Sequence, residues 1–280
     1  MKKISAAFDG LKFSNTTLEY AIKLADSSNA LLSGVFLDDF LYHSFNMFDV
    51  VGSRGLPGEQ VKQLEEEDEI TRMQAVNKFC STCIKERVKY VTHHDKSFAI
   101  DELLKESIYS DMLLIGKDET LGQVNELAPT SFVRSLLAGT HCPVLIVPKE
   151  YKPIENIILL YDGKPSSVYA IKMFNYLLPW LRRTKVEVVS VIDPESDILL
   201  PEDSLFREFV KCHYPAATCA LLKGNPQKEI IAYLKNETPN SIVILGAYQR
   251  SQVSRWIKTS MADILMNEFD LPLFIAHNKS

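Results

Sequence analysis

Ile4-Ser5-Ala6-Ala7-Phe8-Asp9-Gly10 (ISAAFDG) has a counterpart in Ile157-Ile158-Leu159-Leu160-Tyr161-Asp162-Gly163 (IILLYDG). Each is a short apolar run of strand length closed by aromatic-Asp-Gly, and such a recurrence is the sign of an internal repeat. Three more blocks return in the same order. Tyr20-Ala21-Ile22-Lys23 recurs as Tyr169-Ala170-Ile171-Lys172, and Met112-Leu113-Leu114-Ile115-Gly116 matches Ile242-Val243-Ile244-Leu245-Gly246. His141-Cys142-Pro143-Val144-Leu145-Ile146-Val147 matches Asp270-Leu271-Pro272-Leu273-Phe274-Ile275-Ala276. Matched blocks in one order imply duplication.

Within the first copy, strand-like runs at 3–8, 30–37, 89–93, 112–116 and 143–147 alternate with helical patterns at 15–26, 59–87, 98–108 and 131–138. Leu18, Ala21, Ile22 and Ala25 fall on one face of the first helix. This alternation predicts an α/β fold, a parallel sheet wrapped by helices, and the second copy repeats it from Asn156 to Ile275. The expected domains are 1–148 and 154–280, joined by the polar stretch Pro148-Lys149-Glu150-Tyr151-Lys152-Pro153. Each copy ends in an apolar strand that would leave an open sheet edge, so the two last strands are expected to pair with each other across a pseudo-twofold axis.

The chain of 280 residues, 46% hydrophobic and 24% charged, has the composition of a globular protein with a core in each half. Its net charge of -5, with no block of Lys and Arg, argues against nucleic acid as a partner. The apolar run from Ile4 to Phe8 is too short for a signal-peptide core, and no run approaches the roughly 20 residues that span a bilayer. The expectation is a cytoplasmic protein without a membrane partner. Five cysteines, at 80, 83, 142, 212 and 219, fit reduced thiols rather than disulfides.

With these blocks in place the chain resembles the universal stress protein family in its tandem two-domain form. The residues that carry the resemblance are Asp9-Gly10 and Asp162-Gly163 after the first strands, Gly224-Asn225-Pro226, Gly116 and Gly246 after the fourth strands, and Cys142-Pro143-Val144. The resemblance implies two five-stranded, Rossmann-like domains of the adenine nucleotide alpha hydrolase-like type, paired through their last strands. It also implies a stress-linked regulatory protein rather than an enzyme. Some family members bind ATP, and the motif that tracks binding is G-x-x-G-x9-G-[ST]. Glycines there let backbone amides approach phosphate, and a helix N-terminus adds donors.

Both copies depart from that motif. In the first, Gly116 is followed by Glu119 in place of the second glycine, Thr130-Ser131 replaces Gly-Ser, and Asp118, Glu119 and Glu126 outnumber Lys117. In the second, Gln249 stands at the second glycine position and Thr259-Ser260 at the end, while Arg250, Arg255 and Lys258 make the loop basic. The candidate ligand residues are therefore Asp162, Gly163, Gly246, Arg250, Thr259 and Ser260, with Asp9, Gly10, Gly116, Thr130 and Ser131 as the weaker set. A nucleotide such as ATP, or a small anion, is the ligand they would take. For Asp9 and Asp162 the alternative is that Asp-Gly only makes the turn into the following helix.

Cys80-Ser81-Thr82-Cys83, with His93-His94 nearby, has a spacing found in zinc and redox sites, yet it lies in a helical pattern with Val76, Phe79 and Ile84, where cysteine acts as a buried hydrophobe. No metal site is expected. His93 and His94 close the third strand, near the sheet edge where α/β ligands bind. Glu65-Glu66-Glu67-Asp68-Glu69 reads as a solvated helix face. The aromatic segment from Asp38 to Gly58, with Phe40, Tyr42, Phe45, Met47 and Phe48, is either a protein-contact surface or a short extra element that buries its own aromatics. No hydrolase elbow, zinc-protease helix, Walker loop or dinucleotide fingerprint is present, so no catalytic residue is assigned.

Overall fold

The computed structural model describes residues 1–37, 44, 58–95, 99–120, 126–192, 202–236, 240–247 and 260–278. They form two compact units, Lys2–Thr140 and His141–Ser280, the latter including Met1.

In the first unit the elements run β1 (Lys3–Asp9), α1 (Asn15–Ser28), β2 (Leu31–Leu37), α2 (Gly58–Lys85), β3 (Tyr90–Asp95), α3 (Ala99–Ile108), β4 (Met112–Gly116) and α4 (Ser131–Gly139). The strands are parallel in the order β3-β2-β1-β4, with Ala6 opposite Gly34 and Leu114. β1 and β4 are buried along nearly their whole length, and their sequences are mostly apolar, with Lys3, Ser5 and Asp9 of β1 the polar exceptions. α1 starts where the Ser14 side chain accepts a hydrogen bond from the Thr17 N–H, and it buries Leu18, Ala21, Ile22 and Ala25 as its periodicity predicts.

The second unit repeats the order. It contains β5 (Val144–Val147), β6 (Asn156–Leu160), α5 (Pro165–Leu177), a 3-10 turn (Pro179–Arg183), β7 (Lys185–Ile192), α6 (Asp203–His213), β8 (Thr218–Lys223), α7 (Pro226–Asn236), β9 (Ser241–Gly246), α8 (Met261–Glu268) and β10 (Leu273–Ala276). β10, β9, β6, β7 and β8 are parallel in that order. β5, the last strand of the first repeat, runs antiparallel to β10, the last strand of the second, with Leu145 opposite Phe274. The two apolar last strands thus pair as their exposed edges require. Because β5 is tied to β10, the compact units divide between Thr140 and His141, ahead of the Pro148–Pro153 linker.

Candidate functional site

In open parallel sheets the ligand end is the carboxyl edge of the strands. At that edge of the first unit, β1 ends in Asp9 and the neighbouring β4 ends in Gly116. Asp9 is buried, and its Oδ1 accepts from the Leu11 N–H at 2.7 Å and the Lys12 N–H at 3.1 Å. With Gly10 in the turn, it folds the chain into α1. Beside Gly116 there is open space where a β-carbon would stand, and the next residue, Lys117, is buried.

α4 begins above this edge. Thr130 is its cap: the side-chain oxygen accepts from the Val133 N–H at 3.2 Å and donates to the Glu119 carbonyl. The Glu126 carboxylate sits on the same helix end. Its Oε2 accepts from the Ser131 N–H at 2.6 Å and its Oε1 from the Ser131 hydroxyl at 2.9 Å. The backbone bond, then the hydroxyl bond, with a smaller contribution from the Arg134 charge, hold the Glu126 carboxyl below the usual carboxylate range. A helix N-terminus favours an anion, and here the chain supplies its own.

The second unit has the same frame with different contacts. Asp162 follows β6, beside the end of β9, and is half-exposed. Burial of part of its carboxyl opposes the charged form, but hydrogen bonds from Lys164 (N–H at 3.1 Å, Nζ at 2.9 Å) and from Ser167 outweigh this and hold the group low. Gly163 has φ 77°, a left-handed conformation suited to glycine. At Gly246 a β-carbon would lie 2.3 Å from the Ser166 carbonyl carbon and 2.6 Å from the Ser167 nitrogen. Gly246 therefore serves to let the first turn of α5 press onto β9. Ser260 caps α8 by accepting from the Asp263 N–H at 3.1 Å, and Asp263 accepts in return from the Ser260 N–H at 3.4 Å. Arg250 and Thr259, with Arg255 and Lys258, lie outside the described residues.

Sequence reasoning placed Asp9, Gly10, Gly116, Asp162, Gly163 and Gly246 at or just after strand ends and Thr130, Ser131 and Ser260 at helix starts, and the fold has them there. It counted Glu126 only as unfavourable charge and passed over Asp263. Asp263 had a local signal, an acid three residues after a helix-start serine, whereas Glu126 reaches its helix from the preceding loop.

Other candidate residues have other duties. Cys83 is fully buried, and burial, with the nearby Cys80, pushes its thiol up to about 12, which makes it a poor nucleophile or ligand. Among the described residues no group of three His, Cys, Asp or Glu side chains is placed to hold a metal ion. His94 is stacked on Phe36 with ring centroids 5.0 Å apart, while His93 meets Glu106 of α3. Asp68 departs from the solvated face expected for the acidic run: it is buried and accepts from the Ser44 N–H at 2.9 Å, whereas Glu65, Glu66, Glu67 and Glu69 are exposed. Apart from Ser44 and Gly58, the aromatic segment from Asp38 to Gly58 is outside the described residues.

No family model and no curated protein matches the chain. Solved structures do. A universal stress protein from Archaeoglobus fulgidus DSM 4304 aligns over 99% of this chain and 98% of its own, with a TM-score of 0.72 at 12% identity. The chain has the fold of the tandem universal stress proteins. A functionally unknown protein from Pseudomonas aeruginosa PAO1 shares this universal-stress-type fold over 100% of this chain and 93% of its own, with a TM-score of 0.64 and 10% identity. The cytoplasmic domain of a prokaryotic cation chloride cotransporter also matches, over 99% and 95%, with a TM-score of 0.51 and 9% identity. No helix among the described residues is long and apolar enough to cross a membrane.

Proposed function

We propose that this chain is a non-enzymatic universal stress protein, a regulatory or interaction protein of the stress response, whose nucleotide sites have been taken over by its own side chains. The observation that carries this reading is the Glu126 carboxylate on the Ser131 N–H and hydroxyl, the donors that a phosphate would need. An incoming phosphate would have to displace it against like charge. In the second unit the Ser260–Asp263 capping box engages the helix start in the same way. No hydrolase elbow, zinc-protease helix, Walker loop or dinucleotide fingerprint in the sequence supports a catalytic step.

Calorimetry of the full chain with ATP, ADP and AMP tests this. The expected result is binding weaker than about 1 mM for all three and no phosphate release from ATP. Micromolar affinity for ATP, with turnover, overturns it.

A nucleotide sensor working through the second unit is the second reading, favoured by one observation: Asp162 is half-exposed where Asp9 is buried. ATP or another adenine nucleotide would then meet Asp162, Gly163, Gly246, Arg250, Thr259 and Ser260. Binding that disappears in Arg250→Glu and survives in Glu126→Gln selects this reading over the first.

A further inference from the structure

Helix α2 buries Ala75, Phe79 and Cys83 at helical spacing, with the Phe79 ring over Gly34 of β2, as a surface helix should. Its opposite face is not wholly polar. Ile70 is 54% exposed, Met73 59% and Ile84 65%, and Cys80 is half-buried between them. Ile70, Met73, Asn77, Cys80 and Ile84 follow one another at steps of three and four residues, which sets them in one stripe along the helix. Single apolar side chains on a surface need no explanation, but a stripe of about four turns opposite the buried face does.

The charges beside the stripe are divided along its length. Before Ile70 the exposed residues include Glu65, Glu66, Glu67 and Glu69 against one base, Lys62. After Met73 they are mainly basic: Lys78, Lys85 and, just beyond the helix, Arg87, against Glu86. Lys78 lies over the Phe13 ring at 5.6 Å, whereas Lys85 reaches only Glu86, at 3.8 Å, with its side chain 80% exposed. So exposed a pair is easily exchanged for another.

We propose that α2 is a self-association surface, on which a second copy of this chain lays its own α2 antiparallel, about a twofold axis near Asn77. A parallel arrangement would bring the acidic halves of both helices together, and like charges there repel. Turned end for end, Ile70 and Met73 face Ile84 of the second copy, and the acidic half of each helix meets the basic half of the other. Glu67 and Lys85 lie on the same flank of α2, about five turns apart. A twofold axis sets like flanks side by side, so Glu67 of each copy meets Lys85 of the other, and the bond forms twice. One polar residue in an apolar seam, here Asn77, favours a single register. Two helix faces make a small interface, so the association is weak and depends on concentration.

Sedimentation equilibrium of the full chain from about 5 to 200 µM, at low ionic strength, tests this. The apparent mass should climb from that of one chain toward twice that value. Ile84→Glu, at a position that the fold leaves exposed, should hold it at one chain, while Tyr176→Glu, an exposed residue of α5, should change nothing. Glu67→Lys and Lys85→Glu should each weaken the dimer about tenfold or more, and the chain carrying both reversals should regain it, a recovery that general loss of folding does not give. A chain that stays monomeric throughout overturns the proposal and leaves the stripe to a different protein. A dimer that survives Ile84→Glu, or a double variant no better than the singles, also overturns it.

Discussion

A β-carbon at position 246 would stand 2.3 Å from the Ser166 carbonyl carbon, while one at position 116 would meet nothing within 4 Å. The two glycines occupy the same place in the repeat, so their sequence context gives them one role, yet they carry different loads. Gly246→Ala forces α5 off β9, an overpacking cost of about 2 kcal/mol or more, which should appear as a fall of about 4–8 °C in the thermal midpoint. Gly116→Ala meets open space and a φ that any residue adopts, so its effect should stay within about 0.5 kcal/mol. Equal losses from both would show that the close approach of α5 is not what constrains position 246. The identity of these glycines was legible in the sequence. The reason for each was not, because it depends on how near a helix backbone comes, and no neighbour in the chain reports that distance.

Helix starts show which part of a site local sequence can reveal. Thr130 and Ser260 are polar residues ahead of apolar-periodic segments, and each caps its helix as that pattern predicts. Replacing either with Ala should cost about 1 kcal/mol, measured by chemical denaturation. The acid that completes each cap was less visible. Asp263 sits three residues into α8, within the local pattern, whereas Glu126 and Asp68 act across loops and looked like ordinary surface charge. Since folding lowers the Glu126 carboxyl, its contribution is present above the unfolded carboxylate range and disappears as pH falls through the folded value. Glu126→Gln should therefore lower the thermal midpoint at pH 7, with the gap closing as pH falls below the usual carboxylate range. A gap that persists in strong acid would mean that the charge on Glu126 is not what holds the start of α4.

At the scale of the chain, the duplication made the repeated strands and the pairing of the last strands legible. An apolar strand at the end of each repeat needs a partner, and a second such strand is the partner that duplication provides. Divergence between the repeats was harder to read. The first unit packs Phe8, Phe36 and Phe79 together with ring centroids 5.5–5.7 Å apart; the second stacks Tyr161 on Phe206 at 3.6 Å. Phe274 is the most telling residue of the pairing. It is fully buried, opposite Leu145, and Phe174 of α5 packs edge-on against it at 5.2 Å. A carboxylate there would have neither water nor a positive partner, while the backbone bonds between β5 and β10 would remain available. Phe274→Asp should therefore cost more than about 4 kcal/mol through its side chain alone. Phe274→Leu, which keeps an apolar group in place, should cost less than half as much. If the two variants lost equal stability, shape at this position rather than exclusion of charge would hold the last strands together, and Leu145→Asp would then be milder than Phe274→Asp instead of matching it.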